Sequence, residues 1–143
     1  LINLVRPRSV IEIGSWKGVS TEAFLLTVPL VLAVDPWDYP DGIFEEFMER
    51  CGAYPGLGVR RGKSPEALEG FNNRFEMCYI DAEHTYDAVR ADILAASKIV
   101  KDDGWIAGHD FQMPQVEKAV LSRVKAPILF RDGSWLVKNR IME

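Results

Sequence analysis

Apolar residues fall along this chain in two alternating rhythms. Unbroken apolar runs read as strands buried on both faces. They are Ser9 to Ser15 (SVIEIGS), Leu30 to Asp35 (LVLAVD), FEMCYIDA and WIAGHDF. Between them, apolar residues recur every three or four positions, as on one face of a helix. Tyr86 to Val100 shows this best, with Tyr86, Val89, Ile93, Ala96 and Val100 on one side and Arg90, Ser97 and Lys98 on the other. Ile43 to Arg50 carries Ile43, Phe44, Phe47 and Met48 on one face, and Pro114 to Lys125 carries Val116, Ala119, Val120 and Val124. A further helix is expected from Gly18, where small and hydroxyl residues precede apolar ones, and Pro29 ends it. GVRRGKS is a weaker strand, and Pro65 after it marks a helix start. Near the end, ILFRDGSWLVK predicts two short strands around an Asp132-Gly133 turn.

Repeated strand–helix alternation implies a parallel sheet with helices on both faces. The closing hairpin adds an antiparallel strand. The expected architecture is a Rossmann-like, doubly wound α/β sheet in a single domain spanning residues 1–143. A length of 143 residues, 48% of them hydrophobic, suffices for one core. The net charge is −4, and Arg60, Arg61 and Lys63 read as a solvated strand end, so no nucleic-acid partner is expected. No apolar run is long enough to span a membrane, and no signal peptide opens the chain. Cys51 and Cys78 show no metal or redox spacing, which points to a reduced, cytoplasmic protein.

In sheets of this type ligands bind beyond the carboxyl ends of the strands. Every such end here carries a polar or glycine cluster: EIGSWKG, VDPWD, GKS, IDAEH and GHDF. Gly14 can turn the chain tightly, and Gly18 lets backbone approach a ligand at a helix start. Trp16 breaks the dinucleotide pattern G-x-G-x-x-G. Asp35, about twenty residues after the glycine turn, can accept from ribose hydroxyls. Trp37 can cover an adenine face or pack in the core. Ser64 can reach the base from the third strand. The chain's two histidines, His84 and His109, both fall just past strand ends, close to Asp81 and Asp110. Glu83 competes with Asp81 for the same face.

Taken in order, EIGSWKGVST, VDPWD, GKS, IDAEHTYDAVRADI and GWIAGHDF, closed by a hairpin, resemble the class I S-adenosylmethionine-dependent methyltransferases. Within these the chain is most similar to the small-molecule O-methyltransferase branch of macrocin-type and cephalosporin-cluster enzymes (methyltransferase family 24-like). It is distantly similar to catechol O-methyltransferase. The resemblance implies a seven-stranded sheet whose last strand is antiparallel. It implies S-adenosyl-L-methionine as cofactor, with Glu12, Gly14, Ser15 and Gly18 along its methionine and ribose part. Asp35 would hold the ribose hydroxyls, with Trp37 beside the adenine and Ser64 and Asp81 completing the site. Asp81, His109 and Asp110 would hold a divalent cation, magnesium or manganese, and His84 would be the general base. Relatives usually offer carboxylates or an amide where this chain has His109, and imidazole suits manganese, iron or zinc better than magnesium. A polar cleft without an ion is the alternative.

The expected reaction is O-methylation of a small-molecule hydroxyl. A non-catalytic cofactor-binding domain is the main rival, and a nicotinamide-dependent dehydrogenase a weaker one. Relatives carry N-terminal helices that roof the acceptor pocket. That roof can lie upstream of Leu1, come from a partner subunit in a homodimer, or be absent.

Overall fold

In the computed structural model, which describes residues 1–141, the apolar runs become five parallel strands. They are β1 (Ser9–Ile13), β2 (Leu30–Asp35), β3 (Leu57–Arg61), β4 (Phe75–Ile80) and β5 (Val100–Gly108). Two short antiparallel strands, β6 (Ile128–Leu129) and β7 (Trp135–Lys138), complete a seven-stranded sheet of order β3-β2-β1-β4-β5-β7-β6. The chain steps outward from β1 to β3 and then returns to the other side of β1 to lay down β4. A crevice therefore opens between the ends of β1 and β4. Register aligns those ends: Ile13 pairs with Val34 and with Ile80, and Ile80 pairs with Gly108.

Alternation along the strands divides the core. Ile11, Ile13, Cys78 and Ile80 face α4 (Tyr86–Ile99) and α5 (Pro114–Leu121), while Val10, Val31, Met77 and Tyr79 pack with Phe24 of α2 (Val19–Leu25) on the opposite face. A third cluster joins Ala33 and Trp37 to Ile43, Phe47 and Cys51 of α3 (Ile43–Cys51). Thr85 caps α4, its hydroxyl accepting from the Ala88 N–H. At the other end of α4, the Asn139 amide donates to the carbonyls of Ser97, Val100 and Lys101 at 3.0, 3.0 and 3.2 Å. The Ser97 carbonyl is one that the end of a helix leaves unpaired, and the other two belong to the start of β5.

Three boundaries differ from the sequence pattern. The fourth helix stops at Ile99, and Val100 already belongs to β5. The expected Asp102-Asp103-Gly104 turn is a bulge inside that strand, since Phe75 pairs with Val100 but Met77 with Trp105. The last helix ends at Leu121 rather than Lys125, although Val124 remains buried. A one-turn helix, α1 (Ile2–Val5), was outside the expected elements, and it packs Ile2 and Val5 under the second core cluster. No helix among the described residues is long and apolar enough to cross a membrane.

Candidate functional site

The crevice at the strand ends is a cleft of about 740 Å³. Its first wall is the glycine turn after β1. Gly14 has φ +90°, and its N–H donates to the Val34 carbonyl at 2.8 Å. A Cβ there would lie 2.2 Å from the carbonyl oxygen of Asp81, so the turns after β1 and β4 touch backbone to backbone. Asp35 latches the next turn. Its Oδ2 accepts from the Trp16 N–H at 3.0 Å and its Oδ1 from the Trp37 N–H at 2.8 Å. The Trp37 indole N–H donates to the Trp16 carbonyl at 2.7 Å, closing a ring of bonds around the end of β2. Asp35 still lines the cleft, with acceptor capacity left for a ligand hydroxyl.

Three residues expected to meet the cofactor do other work. Glu12 is fully buried, and its carboxylate accepts from the hydroxyls of Ser15, Ser20 and Thr21. It fastens β1 to the start of α2, and burial holds its pKa above the usual carboxylate range. Gly18 turns away from the cleft: a Cβ there would meet Cys51 Sγ at 2.6 Å and the Phe47 ring at 2.8 Å. Trp37 is 4% exposed and packs on Phe44 and Phe47, with ring centroids 5.2 and 4.7 Å apart. The cleft is lined instead by Gly14, Ser15, Trp16, Ser20, Asp35 and Ser64 on the side of β1 to β3. Trp16 and Ser20 were not among the expected site residues. Trp16 is 54% exposed at the rim, an apolar surface that packing alone does not explain.

The second wall joins the ends of β4 and β5. Main-chain bonds from Asp81 N–H to the Ile13 carbonyl (2.9 Å) and from His109 N–H to the Ile80 carbonyl (3.1 Å) fix their relative height. His84 folds back from the following turn, so that its Nε2 lies 2.9 Å from Asp110 Oδ2 and 3.6 Å from Asp81 Oδ1. The ring is not oriented to turn either approach into a hydrogen bond, and this enclosed nitrogen lacks a hydrogen-bond partner in the chain. Ligand atoms from Asp81, His84 and Asp110 all lie within 4.8 Å of one another. The expected trio had His109 in place of His84. The His109 ring instead lies beside its neighbour, with Nδ1 3.2 Å from Asp110 Oδ1. Burial raises the pKa of Asp81, which the His109 charge opposes and the Asp110 charge reinforces. Gln112 also donates to Asp110 Oδ1, at 3.2 Å.

Sequence reasoning passes over one further cleft residue. Asp92 is 4% exposed on the inward face of α4, and burial pushes its carboxyl up to about 6. Its signal is an acid three residues after Val89, inside the apolar stripe of the helix.

Residues 11–111 match the family described as methyltransferase domain. The chain is 33% identical over 110 residues to the O-methyltransferase hkm8 of Aspergillus hancockii, a match covering 69% of this chain and 44% of that protein. It therefore spans less than half the length of that relative. Among solved structures it is similar to an O-methyltransferase from Bacillus cereus in complex with S-adenosylhomocysteine, at 14% identity and a TM-score of 0.72 over 99% of this chain and 77% of that one. It is likewise similar to the O-methyltransferase TomG from Streptomyces achromogenes, in complex with S-adenosylmethionine, at 13% identity and a TM-score of 0.72 over 96% and 75% of the chains. At such identities the structural likeness establishes the fold, and the sequence match over residues 11–111 establishes the family. The chain belongs to the methyltransferase-domain family.

Proposed function

We propose that the chain binds S-adenosylmethionine in this cleft and transfers its methyl group to a hydroxyl of a small molecule. One observation carries the reading. The glycine turn with its ribose-type acid, Asp35, opens into the same cavity as Asp81 and His84, with Asp110 beside His84, so that a donor on one wall would face a base on the other. Methyl transfer breaks the bond from sulfonium sulfur to methyl and forms a bond from methyl to oxygen. The hydroxyl proton must leave, and an imidazole within reach can take it. Asp110, at 2.9 Å from Nε2, is close enough to position the His84 ring. His109 braces Asp110 from the other side.

The residues also fit a divalent cation. Two carboxylates and one imidazole converge, and the His84 Nε2 faces both acids without an aligned hydrogen bond, as a metal-facing lone pair would. When bound, such an ion would polarise the acceptor hydroxyl and lower its pKa. The two situations exclude each other: a neutral imidazole has one basic lone pair, so a His84 whose Nε2 held a cation would carry its proton on Nδ1 and would not be the base.

Both cysteines are free and buried, which supports a reduced, cytoplasmic setting. Calorimetry with S-adenosylhomocysteine tests the cofactor, and release of that product in the presence of hydroxyl-bearing acceptors tests the reaction. Absence of binding, with clear binding of NAD instead, would sink the methyltransferase reading for this chain.

A further inference from the structure

Beyond the acid–histidine cluster, the tip of the β6–β7 hairpin borders a second hollow, of about 350 Å³. The tip is held by its own bonds. The Phe130 N–H donates to the Ser134 carbonyl at 2.9 Å, the Gly133 N–H to the Phe130 carbonyl at 3.2 Å and the Ser134 N–H to Asp132 Oδ1 at 2.9 Å. The Phe111 N–H donates to the Gly133 carbonyl at 3.0 Å, which ties the tip to the segment that follows Asp110. Gln112 forms the wall between hollow and cluster. Its Nε2 donates to Asp110 Oδ1 at 3.2 Å, and its Oε1 lies against Gly133, where a Cβ would come within 2.3 Å of it. Asp110 alone links this wall to His84, whose Nε2 is 2.9 Å from Asp110 Oδ2.

Two features of the hollow have no use within the chain. Leu129 is 52% exposed beside it, with Phe111 and Phe130 half-buried, an apolar surface open to solvent. Arg131 is exposed and lines the same hollow, and its guanidinium makes no ion pair or hydrogen bond among the described residues. The neighbouring acid, Asp132, turns its Oδ1 to the Ser134 N–H instead of pairing with it. A planar guanidinium with free donors matches a carboxylate, two N–H groups to two oxygens. The apolar side chains next to it match a ring. Asp81, Glu83 and Asp110 would repel an anion placed among them, so an acidic group of a bound acceptor is best held on the far side of Gln112. We propose that this hollow takes the body of the methyl acceptor and that Arg131 selects acceptors bearing a carboxylate, with the hydroxyl at His84 and the acid against the hairpin. The acceptor class is then a hydroxylated aromatic acid. The assignment rests on the methyl-transfer reading above and adds to it the substrate class and the residue that chooses it.

Two matched probes test it, 4-hydroxycinnamic acid and its methyl ester, which share ring and hydroxyl and differ in charge. Each is titrated by calorimetry into the chain saturated with S-adenosylhomocysteine, whose own binding is measured first. The wild-type chain should bind the acid about tenfold more tightly than the ester, the worth of a charge-assisted hydrogen bond. Arg131→Gln should lose that preference through weaker binding of the acid, with the ester and S-adenosylhomocysteine bound as before. Arg131→Lys keeps the charge without the fork and should recover part of it. The side chain is exposed, so both variants should fold as wild type does. A preference for the acid that survives in Arg131→Gln would overturn the proposal, as would a wild-type chain that binds both probes equally or binds neither. A wild-type chain that fails to bind S-adenosylhomocysteine would instead overturn the cofactor reading on which the proposal stands.

Discussion

At the scale of single residues, Asp92 links the site to stability. Its carboxyl is pushed from 3.8 up to about 6 because burial disfavours the charged form more than the Ser64 hydroxyl favours it. A folded-state pKa above the unfolded one means that the folded chain holds this proton more tightly. The contribution is therefore complete below pH 3.8 and is lost as pH rises through about 6. At neutral pH the ionised group lowers stability by about 3 kcal/mol as an upper bound, at 1.36 kcal/mol for each pKa unit. Asp92→Asn removes the titration. Urea unfolding should show the variant more stable than wild type at pH 8, by about 1–3 kcal/mol, with the gap shrinking towards pH 4. A gap independent of pH would mean that Asp92 is not the buried acid described.

At the scale of elements, the turns after β1 and β4 act as one unit because they touch at Gly14. Gly14→Ala places a Cβ 2.2 Å from the Asp81 carbonyl at a φ of +90°, so one backbone has to move. The expected cost is about 1–3 kcal/mol of stability, with weaker binding of S-adenosylhomocysteine as well. Thermal melting and calorimetry on the same preparation check both, and unchanged values would show that the Asp81–Ala82 backbone yields freely. This contact also marks what the sequence could tell. The need for glycine after β1 was legible, as was Asp35 at the end of β2, because strand ends and turn residues leave local signatures. The partner of Gly14 was not, since it lies 67 residues away across a strand pairing. For the same reason the three hydroxyls on Glu12 and the aromatic bed under Trp37 were hidden, although each residue was singled out. Glu12 lies near the end of β1 and Trp37 just past the end of β2, yet one is bonded to the helix start and the other packs on α3. The weak signal of β3 has a visible cause: Val59, Arg60 and Arg61 are exposed at the edge of the sheet, so little apolar pressure shaped them. The bulge in β5 was misread as a turn because Asp102-Asp103-Gly104 carries turn chemistry in either setting.

At the scale of the whole molecule, the return of the chain from β3 to β4 brings residues from both halves of the chain to one cavity. Residues around the glycine turn and Asp35 come from the first half of the chain, and Asp81, His84 and Asp110 come from the second. That division predicts separable losses. Asp35→Ala should weaken S-adenosylhomocysteine binding by about 1.5–3 kcal/mol, the scale of hydrogen bonds to a charged group, and leave manganese binding unchanged. Asp110→Ala removes one carboxylate from the trio and the anchor of His84, so manganese binding should be lost while cofactor affinity stays near wild type. The double variant should show the sum of the two effects, because groups that share no partner contribute independently. Strong non-additivity in cofactor binding would mean that the two walls are coupled, with the Gly14–Asp81 contact as the physical route. Chelation decides what the cluster does. If an ion is held by Asp81, His84 and Asp110, exhaustive EDTA treatment should abolish methyl transfer and added manganese should restore it, with cofactor binding unaffected throughout. Activity that survives chelation unchanged would leave His84 and Asp110 as a metal-free base pair. His84→Ala would then still cost about a hundred- to ten-thousand-fold in rate, the usual share of general-base catalysis.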